Sequence, residues 1–418
     1  MLKSRIDDLA IFGGAPAFAD SLHVGRPNFG DRDTLMARIN EMLDRRWLSN
    51  SGPFEQEFER RVAEIAGVKH AIAMCNGTVA LEIAIRGLDL KGEVIVPSFT
   101  FVATAHALQW QEITPVFADI DPESYTLDPA SVERLITPRT TGIVGVHVFG
   151  RACDVEALAA IARRHRLKLL FDAAHAFGAS HRGAPIGSFG DAEVFSFHAT
   201  KFVNAFEGGA IVTNDDALAQ KVRWMKNFGF STYDQVDYLG INGKMTEISA
   251  AMGLTSLEAI AGFVEVNRAN YGRYRARLAD LPGVRLIAYD TAERNNYQYV
   301  ILEVDEARAG LGRDALVALL HAENILARRY FYPGCHQMEP YRSYFPHAGM
   351  LLPNTNRLCS RVLALPTGTA VEPEAIDRVC DIVRFALANG PAITERFAQT
   401  ERTSVVPEAS NTVGRLRS

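Results

Sequence analysis

Apolar residues first recur at helical spacing where Phe54, Phe58, Val62 and Ile65 line one face of residues 54–65, and Gly67 follows as a stop. From there the period alternates. Short apolar runs at 70–75, 93–97, 115–120, 143–149, 168–171, 192–197 and 210–213 predict strands, and 79–88, 101–110 and 155–165 predict helices between them. Strand–helix alternation of this kind predicts an α/β domain built on a mostly parallel sheet. A helix-rich stretch follows at 246–277. Beyond it the pattern changes: 297–304 reads as a strand, and 313–323 and 374–386 as helices. This predicts an N-terminal arm and large domain over 1–275 and a smaller α+β domain over 276–390. Residues 391–418 gather Ser, Thr and Pro and read as a mobile tail. No internal repeat is visible.

Composition narrows the partners. The 418 residues are 48% hydrophobic and 22% charged, which excludes wholesale disorder. A net charge of −5 argues against a nucleic-acid binder, so an anionic ligand must be held by a local site. The five cysteines are odd in number and form no C-x-x-C. They predict free thiols in a cytoplasmic protein, with neither a disulfide framework nor a zinc site. The first ten residues carry acids where a secretion signal has an apolar core. Every apolar stretch is interrupted before about 18 residues, so no membrane span is expected.

Four short segments carry candidate chemistry. In Phe171-Asp172-Ala173-Ala174-His175 an apolar run delivers a carboxylate at its C-terminal end, where open α/β sheets collect ligands. Such an aspartate either caps a following helix or holds a pyridine nitrogen protonated. In Ser196-Phe197-His198-Ala199-Thr200-Lys201, followed by Gly208-Gly209, a lysine among apolar residues is either a surface amine or a desolvated nucleophile. Cys75-Asn76-Gly77-Thr78 runs from a strand into a helix and offers backbone N–H groups and a hydroxyl to an anion, or is simply a cap. Phe101, after Pro97-Ser98-Phe99-Thr100, either packs in the core or stacks on a flat ring. Together the four describe a pyridoxal phosphate site.

The order and wording of these motifs resemble the DegT/DnrJ/EryC1/StrS sugar aminotransferases, from Phe12-Gly13-Gly14 to about residue 390. Trp47-Leu48-Ser49-Asn50, Phe195 to Lys201, Lys244-Met245-Thr246-Glu247 and Tyr332-Pro333-Gly334-Cys335-His336 share the type of the branch that aminates C4 of dTDP-4-keto-6-deoxyglucose. The resemblance implies an aspartate-aminotransferase-like (fold type I) large domain and pyridoxal 5′-phosphate as cofactor. It makes Lys201 the Schiff-base lysine and Asp172 the ring-nitrogen partner. It sets His175, where many relatives have Gln, at the cofactor's 3-oxygen. Gly77, Thr78 and Ser196 fall to the phosphate, and Phe101 to the ring face. Asn242 is implied to reach the phosphate of a second subunit in a homodimer with shared active sites. His336 and Tyr332 resemble a substrate-side loop. The implied reaction moves an amino group from L-glutamate to a nucleotide-linked 4-keto-6-deoxyhexose. A 3-ketosugar aminotransferase and a non-catalytic regulatory protein on the same scaffold are the alternatives. A dehydratase of this type would carry histidine where Lys201 stands, and no G-x-G-x-x-G supports a dehydrogenase.

Overall fold

The computed structural model describes residues 3–404. Seven strands form the central sheet: β1 (His70–Met74), β2 (Glu93–Pro97), β3 (Thr114–Ala118), β4 (Thr140–Val146), β5 (Lys168–Asp172), β6 (Ala192–Ser196) and β7 (Gly209–Thr213). Their order is β1-β7-β6-β5-β4-β2-β3. All neighbours pair in parallel except β7, which is antiparallel to both β1 and β6. This is the mostly parallel sheet the strand–helix alternation predicts.

Helix α1 (Arg32–Arg45) precedes the sheet and α5 (Val155–His165) packs on Ile143 of β4 and Leu169 of β5, and alternation along the strands divides the core between two faces. Ile72, Val94, Val96 and Ile211 pack against Ala80, Leu81 and Ala84 of α3 (Gly77–Gly87) and Ala105 and Leu108 of α4 (Val102–Gln109). Ala71, Ala73, Phe195 and Val212 face Phe58 and Val62 of α2 (Pro53–Ala66) and Leu254 of α6 (Glu247–Glu258). Helix α2 starts with Pro53 at its first turn and ends at Gly67, whose φ of 66° suits the left-handed C-terminal position. The outer edge of β1 is blocked. Glu59 accepts the Ala73 N–H (2.8 Å), Lys226 donates to the Ala73 carbonyl (3.1 Å), and Gly243 accepts the Cys75 N–H (2.8 Å). Covering an edge in this way removes a template for strand addition.

The helix-rich stretch at 246–277 resolves into α6 and α7 (Ile260–Leu278), bent by 61° at the break. Among the described residues no single helix is long and apolar enough to cross a membrane. The smaller domain has an antiparallel sheet of β8 (Val284–Leu286), β9 (Val300–Val304) and β10 (Val362–Leu365). Leu302 and Val300 pack there with Leu316 and Leu320 of α8 (Arg313–Ala322) and Val379 and Val383 of α9 (Pro373–Ala388).

Two boundaries differ from the sequence reading. The N-terminal arm, grouped by sequence with the large domain, packs on the small one. Leu9 lies in its core, Leu22–His23 pairs with Ile325–Leu326, and Glu323 accepts the Ala10 and Ala17 N–H groups (2.8 and 2.7 Å). The predicted tail begins as a helix, α10 (Gly390–Ser404), because Ile393 and Phe397, four residues apart, bury against the same core and Phe397 meets Phe12 at 5.4 Å. The rest of the predicted tail, from 405, lies outside the described residues.

Candidate active site

The C-terminal ends of β1, β5 and β6 and the start of β7 meet at one edge of the sheet, since Gly209 pairs with Met74 on one side and Ser196 on the other. At that edge the chain turns from β1 into α3. Asn76 caps the helix: its side chain accepts the Val79 N–H (2.8 Å) and its carbonyl the Ala80 N–H (3.1 Å). The N–H groups of Gly77 and Thr78 are left without a protein partner among the described residues, at the positive end of the helix. Backbone packing explains two glycines. A Cβ on Gly209 would stand 2.6 Å from the Asn76 carbonyl carbon, and one on Gly77 would stand 2.9 Å from Ser196 Cβ. Gly77 and Ser196 thus lie against each other at this edge and, with Thr78 next in the chain, form a polar cradle.

Asp172 ends β5 and is 6% exposed. Its Oδ2 accepts from Thr104 Oγ1 (2.8 Å) and its Oδ1 from the Ala174 N–H (3.1 Å). Thr104 Oγ1 lies 2.9 Å from Thr100 Oγ1, and the His147 N–H holds the Asp172 carbonyl (3.0 Å). No helix follows, so the capping alternative is set aside. The carboxylate is aimed by neutral donors and has no ion pair among the described residues, which leaves its charge for a cationic partner.

Lys201 sits in the turn after β6, closed by bonds from its own N–H to the His198 carbonyl (2.8 Å) and from the Ala205 N–H to the Phe197 carbonyl (2.8 Å). Burial lowers its ammonium to about 8, against the pull of Asp172, which favours the charged form. Its half-buried side chain and lowered ammonium favour the desolvated amine over a surface lysine.

His175 is 7% exposed. Its Nδ1 accepts the Phe149 N–H (3.3 Å) and its ring lies 4.5 Å from Tyr299. Burial, reinforced by the Lys201 charge, holds it well below the ordinary histidine range, so it is neutral. Phe101 ends the loop before α4 and is 58% exposed, free to cover a planar ligand. Asn242 is exposed beside β1, where its neighbour Gly243 accepts from Cys75 and Lys244 bridges to Met74. Tyr332 is exposed and lies under the guanidinium of Arg329 at 4.5 Å.

His336, which the resemblance assigns to a substrate-side loop, lies in the interior of that loop. It is 4% exposed, with Nδ1 at 2.7 Å from Ser98 Oγ and Nε2 at 3.0 Å from Asn356 Oδ1. With both ring nitrogens taken, it is a joint that ties the 331–337 loop to the end of β2. Residues that the motifs did not single out complete the site. Thr100 and Thr104 aim Asp172, and Asn296, Gln298 and Tyr299 reach it from the small domain. Asn76 had a visible signal, a cap residue before a helix; the others are distant in sequence and carry none.

A group with a phosphate, a protonated ring nitrogen and an aldehyde carbon fits this set. The cradle supplies unpaired N–H donors, Asp172 an aimed carboxylate and Lys201 a desolvated amine. The DegT/DnrJ/EryC1/StrS aminotransferase family profile matches residues 31–384. A dTDP-4-amino-4,6-dideoxy-D-glucose transaminase of Shigella dysenteriae is 36% identical over 363 residues, covering 87% of this chain and 98% of its own. GDP-perosamine synthase of Caulobacter vibrioides is 40% identical over 329 residues, covering 77% and 86%. The solved structure of DesI in the presence of its TDP-sugar product is 52% identical, with a TM-score of 0.91 over 94% of this chain and 100% of that one.

Proposed function

This chain belongs to the DegT/DnrJ/EryC1/StrS aminotransferase family, and from that premise we propose that it aminates C4 of dTDP-4-keto-6-deoxy-D-glucose, with pyridoxal 5′-phosphate as cofactor and L-glutamate as donor. Its fold is the aspartate-aminotransferase-like, fold type I arrangement. The observation that carries the reading is a desolvated amine, Lys201, beside a buried, aimed carboxylate, Asp172. The dTDP-linked and TDP-linked relatives support the sugar.

When bound, the cofactor supplies an aldehyde carbon for amine exchange and a pyridine ring that takes up an electron pair. Everything else falls to the chain. Gly77, Thr78 and Ser196 would hold the phosphate. Asp172 would accept the ring N–H and be of most use where negative charge develops on the ring. Lys201 Nζ would hold the aldehyde carbon at rest. Once displaced by the donor, its free amine would take the proton from the donor's α-carbon and hand it to the former aldehyde carbon, water would release the keto acid, and with the ketosugar Lys201 would run the same transfer backwards. That work needs a neutral amine. With a pKa of about 8, about a quarter of Lys201 is neutral at pH 7.5, against about one part in a thousand at 10.5.

The homodimer with shared sites is part of the proposal. Phe228, Phe230, Tyr233, Val236, Leu239 and Ile241 are all exposed and lead directly into Asn242, an apolar flank suited to a second copy. Free cysteines and metabolite substrates support a cytoplasmic location.

The test is NMR analysis of the product after incubation with dTDP-4-keto-6-deoxyglucose, glutamate and cofactor. A 4-amino sugar is expected. A 3-amino product, or none, overturns the substrate. The GDP-linked relative makes a GDP-4-ketosugar the natural competitor in the same assay.

A further inference from the structure

We propose that the segment Asn296–Tyr299, where the chain passes back into the small domain, is the positioning element of the cofactor site: it fixes His175 with its proton on Nε2 and braces the turn that carries Lys201. This rests on the reading of the site as a pyridoxal phosphate pocket.

The segment is the place where the predicted strand at 297–304 fails. The strand begins only at Val300, and Tyr297 has a φ of 49°. Residues before Val300 spend their hydrogen bonds on the large domain instead. Asn296 is 1% exposed, and its Nδ2 donates to the carbonyls of His175 (3.0 Å) and Phe177 (3.2 Å). Its Oδ1 accepts the Gln298 N–H (3.1 Å), and its own carbonyl accepts from Asn267 Nδ2 (3.0 Å), a buried residue of α7. Gln298 Nε2 donates to the Thr200 carbonyl (3.1 Å), one residue before Lys201. Tyr299 sets its ring 4.5 Å from the His175 ring.

The same segment acts on His175 by a second route. Tyr289 Oη lies 2.8 Å from the Tyr299 carbonyl and 3.2 Å from the Phe149 carbonyl, linking the two. Phe149 adopts φ 57°, a conformation few non-glycine residues take, and from it points its N–H at His175 Nδ1. A ring nitrogen that accepts an N–H carries no proton of its own, so in the neutral imidazole the proton is on Nε2. Lys201 and Tyr299 are the titratable groups that meet this histidine among the described residues, and neither accepts from Nδ1. His175 is thereby a fixed N–H donor, the polarity that a glutamine amide would also offer at this position. Asn296 and Gln298 are positioning residues, acting through His175 and the Lys201 turn.

The test uses the full chain with ring-15N histidine. Two-bond 1H–15N correlation spectra of cofactor-free protein assign the tautomer, and Glu is avoided in the control: His175→Gln identifies the resonance by its loss. The expected wild-type signal is neutral with the proton on Nε2. Asn296→Ala is expected to give mixed tautomers, or protonation in the ordinary range near pH 6.5. An unchanged Nε2–H signal in Asn296→Ala overturns the proposal. Should that variant fail to fold, Tyr289→Phe, which removes the hydroxyl that links Tyr299 to Phe149, is subject to the same criterion. For the Lys201 side, Gln298→Ala is expected to move the pH midpoint of bound-cofactor absorbance by about half a unit or more at an unchanged melting temperature. An unmoved midpoint overturns that part. Failure of the underlying reading looks different: the wild type would then show no cofactor absorbance at all, whatever the histidine signal.

Discussion

Replacing Lys201 with methionine should make the cofactor-free protein more stable at neutral pH. Methionine keeps an unbranched chain of similar length and has no charge to desolvate. Burial lowers the Lys201 ammonium from 10.5 to about 8, a fall that corresponds to about 3 kcal/mol at 1.36 kcal/mol per pH unit. The side chain is only partly buried by surface area, so solvent screening reduces this to roughly 2–3 kcal/mol. The sign follows from proton binding. Between pH 8 and 10.5 the unfolded chain holds a proton on this amine that the folded chain has released, so wild-type stability rises with pH across that window. The penalty is present in full below about pH 8 and gone above about 10.5. Other lysines and tyrosines titrate equally in both proteins and cancel. For a chain of this size the gain is about 3 °C in melting temperature. Denaturation of both apoproteins at pH 7 and at pH 9.5 measures it. The variant should lead at pH 7, and its lead should narrow at pH 9.5. A variant no more stable than wild type at pH 7, or a gap that widens with pH, refutes a desolvated Lys201.

Further outcomes follow from the same geometry. Lys201→Ala should abolish transamination, and a variant that still aminates sugar at the wild-type rate would mean that another lysine does the work. Thr104→Val keeps the shape of the residue but removes the O–H that aims Asp172; it should lower stability by about 1.5–3 kcal/mol, read from urea midpoints, and slow turnover. Gly209→Ala must push the Asn76-Gly77 turn away, so pyridoxal phosphate affinity should fall at least ~10-fold, about 1.4 kcal/mol, by fluorescence titration; unaltered affinity would mean that the turn does not hold the phosphate.

Much of the large domain is legible along the chain because its strands are buried on both faces and its helices on one. Those burial patterns impose distinct periods on local sequence. The boundaries slip where a cap or turn decides them. Helix α3 starts at Gly77, two residues before its apolar pattern, because Asn76 satisfies its first turn. Asp172 and Lys201 are legible for a related reason: one ends a strand and the other lies in the turn after the next strand of a sheet whose ligand edge is known in advance. The site's supports were hidden. Thr104 lies 68 residues from Asp172, and Asn296 lies 121 from His175, so no local pattern marks either pair.

The alternation of strands and helices, the chemistry at the strand ends and the family those residues resemble can all be read along the chain. Each of these is written in neighbours a few positions apart. Tertiary structure alone decided that the N-terminal arm docks on the small domain and that His336 is a joint. It also set the protonation states of Lys201 and His175. Those states depend on how much water and charge surround a side chain, and that surrounding is assembled from segments that meet only when the chain is folded.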